Sequence, residues 1–270
     1  MSGMKPALCF VTHFPSADFF SRVAMAHALG YEVFLFDNTL DGAQRDCLKV
    51  LEGVHYQGDG NNWGLGVGLQ RLMQRVKAFH GWGLYLDQDT WFDAGGLDWI
   101  EQWLGSHINE LGTFAAVNFL SPRKFQRLPL GTVVKAPLMV SSGTLFQLEH
   151  LEKTGWHHAD WFLECVDYEW CGRALKQGFS LGYVTGCVGL DHEVLQPIDR
   201  VRLAGKPRAF RVYRWRRNRQ FLWGLLYLFV WGIWHRQWRY SWACLRNCGT
   251  HVMNQIGAIL LQAIYQMKQR

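Results

Sequence analysis

The chain has 270 residues, of which 49% are hydrophobic and only 19% charged, and this composition excludes disordered, collagen-like and small disulfide-stapled proteins. Its seven cysteines are scattered without a CxxC pair and no charged-then-apolar leader opens the chain, so we predict a reducing, cytoplasmic compartment. The net charge of +6 is unevenly divided, because the residues from Arg200 onward contain 14 Lys and Arg but no Asp or Glu. We therefore predict a 1–200 domain followed by a basic 201–270 extension.

Short apolar runs alternate with longer helical patterns within residues 1–199. This βαβα order predicts an α/β fold, with a mainly parallel sheet covered by helices on both faces and ligands bound at the carboxyl edge of the strands. The predicted strands are 7–12, 31–37, 54–57, 82–87, 113–119, 135–143 and 180–186, and the predicted helices are 16–30, 41–51, 65–79, 95–104 and 165–178.

Polar residues follow the second predicted strand at Asp37 and Asn38. A carboxylate at a strand end can accept the N–H of a pyrimidine base. Both residues can equally cap the helix that follows, so this position leaves two interpretations open.

Two carboxylates flank Gln88 after the fourth strand, at Asp87 and Asp89. Like charges this close raise each other's pKa unless a cation neutralises them. So few oxygen ligands suit Mg²⁺ or Mn²⁺, which complete their coordination with water and substrate phosphates. The spacing therefore predicts a divalent metal site at the end of a strand.

The segment 61–70, NNWGLGVGLQ, imitates a dinucleotide-binding fingerprint. The match fails because Leu69 occupies the position of the third small residue and the first βα turn has no glycine. We expect these glycines to permit a sharp turn or a close approach to a ligand.

A further acidic segment begins the helix predicted at 165–178, with Asp160, Glu164, Asp167 and Glu169 close together. Any one of them can serve only to complement the helix dipole. With the DxD pair and the Ser-Ser-Gly at 141–143, the group indicates a general base near a metal-bound phosphate donor.

The order of these motifs resembles the family 2 nucleotide-sugar glycosyltransferases of the GT-A fold, and most closely their rhamnosyltransferase-like branch. The resemblance covers about residues 7–220. The matched motifs are DNT, NWG, LDQDT, SSGTLF, VDYEWCGRALKQG, His192 and YRWRRN.

The resemblance implies a role for each matched residue. Asp87 and Asp89 would hold the metal on the donor diphosphate, and Asp167 would be the base that removes the acceptor proton. His192 would be either a third metal ligand or a hydrogen-bonded surface histidine, and Arg173 would face phosphate or stabilise the Asp167 carboxylate. The remaining donor-binding positions implied are Thr12, Asp37 and Asn38 around the base, with Asn62, Gly64, Gln88 and Gly143 in the matched motifs.

The basic extension contains a charge-free run at 221–234, which at fourteen residues is shorter than the roughly 20 of a spanning helix. We expect a helical extension; if residues 220–246 are helical, this segment either packs on the rest of the protein or lies in the plane of an anionic membrane. Nucleic acid is not the expected partner, because the aromatic residues form a block instead of alternating with arginines. The residues expected on one arc are Trp223, Tyr227, Trp231, Trp234, Trp238, Trp242 and Leu245.

These patterns predict an inverting, metal-dependent glycosyltransferase on the inner face of the cytoplasmic membrane. Its donor would be a dTDP-, UDP- or GDP-sugar, possible sugars including rhamnose, and its acceptor a hydroxyl of a bacterial surface glycan or a lipid-linked glycan. The alternative is a non-catalytic membrane- or polyanion-binding protein on a decayed α/β domain. The sequence leaves the sugar, the linkage and the oligomeric state open.

Overall fold

A computed structural model of the chain describes residues 5–40, 42–122, 125, 127–192, 199–203, 206–210 and 213–268. It divides into two compact units, 1–195 and 196–270. The elements of the first unit are β1 Ala7–Thr12, α1 Ala17–Ala28, β2 Val33–Asp37, α2 Ala43–Lys49, β3 Val54–Gln57, α3 Gly64–Lys77, β4 Trp82–Asp87, β5 Trp91–Phe92, α4 Ala94–His107, β6 Phe114–Asn118, β7 Val133–Lys135, β8 Thr144–Gln147, α5 Leu148–Thr154, α6 Val166–Lys176, β9 Ser180–Val184 and β10 Leu190–Asp191.

The first unit contains an eight-stranded sheet in the order β3-β2-β1-β4-β8-β6-β9-β7. The first four strands of this order run parallel, and β6 and β9 are also parallel to each other. β8 and β7 run antiparallel to their neighbours. The predicted α/β class with a mostly parallel sheet and helices is thus confirmed.

The central strands are almost entirely apolar because both of their faces are covered. Every residue of β2 and β6 is buried, and so is every residue of β1 except Val11. Phe10 packs edge to face against Phe19 of α1, with ring centroids 5.2 Å apart. The polar residues that end these strands are therefore held by a rigid core.

The single strand predicted at 135–143 is wrong. The chain instead forms β7, leaves the sheet, and returns as β8 from Thr144. A turn closes just before β8, where the Thr144 amide donates to the Ser141 carbonyl at 3.0 Å and Gly143 has a φ of 74°. The apolar pattern did not show this turn, because the residues around it are themselves buried.

The second unit contains a two-stranded hairpin and two long helices. The strands are β11 Asp199–Leu203 and β12 Lys206–Phe210, and the helices are α7 Trp215–Trp234 and α8 Trp238–Lys268. Within the described residues, no helix combines the length and the mean hydropathy of a membrane span.

The segment 220–246 is helical, and it is divided between α7 and α8. Arg236 has a φ of 58°, and the Gln237 amide donates back to the Gly232 carbonyl at 2.8 Å. This left-handed ending satisfies the last carbonyls of α7 and reverses the chain. Trp231, one of the residues expected on one arc, packs edge to face on Tyr240 with ring centroids 6.0 Å apart.

Candidate functional site

Three neighbouring parallel strands end at one edge of the sheet. β1 ends at Thr12, which pairs in register with Asp37, the last residue of β2. On its other side Val11 pairs with Asp87, the last residue of β4. Because β8 runs in the opposite direction, it begins at this same edge, directly after Ser141, Ser142 and Gly143.

Asp87, Asp89 and His192 come together at this edge. One ligand atom from each residue lies within 4.8 Å of the others, and all three side chains are half-buried. His192 Nε2 is 3.7 Å from Asp87 Oδ2. Carboxylate oxygens and imidazole nitrogens are common ligands of divalent cations in proteins. This set of ligands does not by itself select one ion. These three residues can hold a metal ion together.

Hydrogen bonds from neighbouring residues hold the side chains of Asp87 and His192 in position. The hydroxyl of Thr90 lies 3.0 Å from His192 Nδ1 and 2.6 Å from the Ser142 hydroxyl. Ser142 Oγ in turn accepts the Asp87 amide at 3.1 Å, and the Tyr85 hydroxyl donates to Asp87 Oδ1 at 2.8 Å. Such outer contacts fix the orientation of metal ligands and tune their affinity.

The turn that carries the two aspartates is fixed by residues distant in sequence. Arg22 of α1 donates through Nη2 to the Gln88 carbonyl at 2.7 Å. Gln88 exchanges two hydrogen bonds with the backbone of His13, at 2.6 and 3.0 Å. Gln88, expected to bind the donor, therefore joins the ends of β4 and β1.

Arg22 also places a positive charge beside the acidic cluster. Burial lowers the pKa of its guanidinium, and the carboxylates of Asp18 and Asp89 oppose that effect. The guanidinium lies over the ring of Phe92, with Arg22 Cζ 5.8 Å from the ring centroid, in a cation–π contact. We interpret Arg22 as a positioning residue for the turn between Asp87 and Thr90.

Asp167 lies at the start of α6 with its carboxylate directed to two backbone amides. Oδ1 accepts from the Tyr168 amide at 2.9 Å, and Oδ2 accepts from the Ser141 amide at 3.2 Å. The pKa of Asp167 is raised to about 7, mainly by burial and also by the charge of Asp87, although the two amides oppose the shift. Asp87 therefore lies near enough for its charge to act on the carboxyl group.

The residues expected around a nucleotide base are buried, and their polar atoms are bonded within the protein. Asp37 Oδ1 accepts from the Thr12 hydroxyl at 3.1 Å and from the Thr39 amide at 2.8 Å, and Oδ2 accepts from the Tyr56 hydroxyl at 3.0 Å. The alternative helix-capping role is not observed, because Gly42 is the N-cap of α2. Asp37 instead holds the ends of β1, β2 and β3 together.

Asn38 fixes the beginning of α3. Its Oδ1 accepts from the Trp63 amide at 2.9 Å, and its Nδ2 donates to the Gly64 carbonyl at 3.1 Å. Asn62 is exposed and accepts the Gly64 amide at 3.0 Å. These residues shape the loop before α3, and Asn62 is the one of them that faces solvent.

The glycines of this segment are explained by packing. Gly64 has a φ of +80°, and a Cβ there would lie 2.4 Å from the Phe162 carbonyl oxygen. A Cβ on Gly66 would lie 2.3 Å from the Trp161 carbonyl oxygen, and one on Gly68 would lie 2.8 Å from Val11. Gly64 and Gly66 thus approach the protein backbone at residues 158–162 closely, whereas Gly68 approaches the Val11 side chain, and the last two glycines lie inside α3.

Gly143 contributes backbone groups to the same edge. Its amide donates to the Tyr85 carbonyl at 2.9 Å, and its carbonyl accepts the Phe119 amide at 2.8 Å. A Cβ at this position would lie 2.6 Å from Leu120 Cγ, and the φ of +74° also favours glycine. Gly143 thus connects β4, β8 and β6 through its backbone.

The interpretation of Arg173 needs correction. All five of its N–H donors are used, two on Glu169 at 2.7 and 3.0 Å and the rest on the carbonyls of Thr154, Gly155 and Trp156. It therefore neither contacts Asp167 nor keeps a donor for phosphate. Residues four apart share a helix face, whereas residues six apart do not, so α6 directs Arg173 to Glu169.

Sequence reasoning missed three residues of this edge: Arg22, Thr90 and Ser142. Thr90 lies in the matched motif LDQDT and Ser142 in SSGTLF. Their position next to the ends of strands was the available signal. Arg22 gave one weaker signal, since an arginine on the buried face of α1 requires a partner in the interior.

No family model matches this chain, and none of the curated proteins is similar to it at a significant level.

Proposed function

We propose that this protein is a metal-dependent glycosyltransferase that moves a sugar from a nucleoside diphosphate to a hydroxyl group of a glycan or lipid-linked acceptor. The motif order that resembles family 2 glycosyltransferases supplies the substrate class. Inversion at the sugar carbon, with rhamnose among the candidate sugars, is part of the proposal.

The observation that carries the proposal is the grouping of Asp87, Asp89 and His192 at the carboxyl edge of the sheet. This is the edge at which α/β proteins bind their ligands. Asp167 lies near enough for its pKa to be raised by Asp87. Metal ligands and a carboxyl group with a raised pKa are the combination that acid–base chemistry beside a phosphate group requires.

Asp87, Asp89 and His192 would hold the divalent cation. Bound there, Mg²⁺ or Mn²⁺ would neutralise the charge that develops on the departing diphosphate. Thr90 and Ser142 keep the imidazole and the Asp87 backbone in place through the hydrogen bonds described above. These contacts would hold the residues around the departing diphosphate in position before the substrate binds.

Asp167 supplies the base in the proposed reaction. The acceptor oxygen forms a bond to the anomeric carbon while the bond from that carbon to the diphosphate oxygen breaks. The acceptor proton passes to the Asp167 carboxylate, and the nucleoside diphosphate leaves with the electron pair. A pKa of about 7 makes this carboxylate a stronger base than an ordinary aspartate near neutral pH.

Thermal stability across nucleotides tests the proposal. We expect dTDP, UDP or GDP to raise the melting temperature in the presence of Mn²⁺ and to have little effect without it, because ligands that bind only the folded state stabilise it. Asp89→Asn should remove this shift, and Asp46→Asn, at an exposed position of α2, should retain it.

The nucleotide that stabilises the protein then selects the sugar nucleotides for turnover assays. Asp167→Asn should lower kcat by at least a hundredfold while the nucleotide shift persists. If none of the three nucleotides stabilises the protein with Mn²⁺, the transferase proposal fails and the non-catalytic alternative replaces it.

A further inference from the structure

The outward face of α8 is apolar along most of its described length. The exposed apolar side chains recur at helical spacing and fall within an arc of about 120° at 100° per residue. Trp242 is typical of them, with 66% of its surface exposed. We call this set the α8 stripe: Trp238, Trp242, Leu245, Val252, Met253, Ile256, Ile259 and Leu260.

The outward face of α7 has the same character from Trp223 to the end of the helix. No charged residue lies between positions 220 and 235, and Trp234 at the end of the helix is 83% exposed. We call this set the α7 face: Trp223, Leu226, Tyr227, Val230, Ile233 and Trp234. Exposed apolar groups that recur along one helix face, unlike ones scattered singly, indicate an interaction site.

Positive charge borders both surfaces. Arg239 and Arg246 are exposed and lie together beside the α8 stripe, about 80° to 100° around the helix from Trp238. Arg214, Arg216 and Arg219 are exposed at the beginning of α7. From Arg200 to the end, the chain has no acidic side chain to offset them.

We propose that the α8 stripe and the α7 face bind an anionic membrane surface, with their tryptophans at the headgroup boundary. An apolar helix face bordered by arginine is the arrangement that lies in a membrane interface, and anionic lipid adds attraction for each nearby basic residue. Tryptophan is enriched at that depth because its ring is amphipathic.

Charge favours a membrane over a second copy of this chain. Each copy would bring 14 basic residues and no acidic residue within 200–270, so pairing through these surfaces would oppose like charges. An anionic leaflet reverses the sign of that interaction. This proposal does not depend on the transferase chemistry.

Vesicle sedimentation with the full-length chain tests the proposal. We expect the protein to bind vesicles containing 30% phosphatidylglycerol at least tenfold more tightly than pure phosphatidylcholine vesicles, and we expect 0.5 M NaCl to remove most of that difference. The double variant Trp238→Ser/Trp242→Ser should weaken binding to the anionic vesicles by at least tenfold. The matched control is Phe79→Ser in the first unit, which is 67% exposed and should bind as the parent does.

The charge contribution is tested with Arg239→Gln/Arg246→Gln, which should weaken binding to anionic vesicles by about tenfold or more and leave binding to neutral vesicles unchanged. Lys49→Gln/Lys153→Gln, which removes two exposed charges from the first unit, is its control. All four substituted positions of the test variants are exposed, so melting temperatures close to that of the parent are expected and are measured first.

Two outcomes would overturn the proposal. Equal binding to neutral and anionic vesicles would remove its electrostatic basis. Failure of the parent to bind either vesicle, together with a concentration-dependent oligomer that Trp238→Ser/Trp242→Ser dissociates, would assign these surfaces to self-association.

Discussion

Thr90 and His192 are separated by 102 residues in the chain, yet the threonine hydroxyl lies 3.0 Å from Nδ1 of the imidazole. This contact turns the other ring nitrogen toward Asp87, with Nε2 at 3.7 Å from Oδ2. The hydroxyl therefore fixes both the orientation of the ring and the nitrogen that can bind a metal.

Removal of this hydroxyl should weaken metal binding. Thr90→Val keeps the shape of the buried side chain but loses the contacts with His192 and Ser142, so we expect the Mn²⁺ dissociation constant to rise by about tenfold to a hundredfold. Titration calorimetry measures it directly. Thr90→Ser retains the hydroxyl and should bind Mn²⁺ nearly as the parent does; equal losses in both variants would contradict the orienting role.

The Asp167 carboxyl should titrate at about pH 7 in the metal-free protein, mainly because it is buried. Since the charge of Asp87 raises this pKa, Asp87→Asn should move the titration to lower pH. Carbon-13 NMR of labelled aspartate follows the carboxyl signal. A titration near 3.8, the ordinary pKa of an aspartate, in both proteins would contradict the prediction.

The same shift determines how stability depends on pH. The folded protein keeps the Asp167 proton up to about pH 7, whereas the unfolded chain releases it near 3.8. The contribution of this group to the free energy of unfolding therefore falls as pH rises between these values and is constant above 7. Catalysis has the opposite dependence, because the base must be deprotonated to accept a proton.

Two glycine substitutions should change stability in opposite directions. Gly66→Ala places a Cβ 2.3 Å from the Trp161 carbonyl oxygen, and such overpacking against backbone should cost about 1–3 kcal/mol. A Cβ on Gly105, within α4, meets nothing within 4 Å, and Gly105→Ala should stabilise the protein by about 0.5–1 kcal/mol. Urea unfolding measures both, and a stable Gly66→Ala protein would show that the α3 contact is not tightly packed.

Arg173 should matter for stability and not for nucleotide binding. Arg173→Gln leaves Glu169, which is 9% exposed, without its bidentate partner, so we expect a loss of about 3–5 kcal/mol. The exposed pair of Lys153 and Glu149 at 2.6 Å supplies the comparison, because Lys153→Gln should cost less than about 0.5 kcal/mol. Unfolding of the two variants is compared at one pH; a reduced nucleotide affinity of folded Arg173→Gln would restore a role at the site.

The sequence predicts the parts of this fold that local pattern determines. The apolar runs locate β1, β2 and β4, and the polar residues after β4 locate the candidate metal centre, where Asp87, Asp89 and His192 can hold an ion together. Local pattern can indicate partners that are close in sequence, such as Glu169 and Arg173 at i,i+4 spacing. It does not indicate distant partners, because the contact of Thr90 with His192 depends on the folded sheet. Nor does it report the left-handed residue Arg236, because the apolar pattern continues on both sides of it.

The reversed direction of β8 decides how the candidate site is linked to the whole sheet. Asp87 ends a half of the sheet that is continuous in sequence from Ala7, whereas Ser142, whose hydroxyl accepts the Asp87 amide, precedes a strand that pairs with the later half. An ion held by Asp87, Asp89 and His192 would therefore join an early and a late segment of the sequence. Loss of either segment would release it, so occupancy by metal would report on the integrity of the entire first unit.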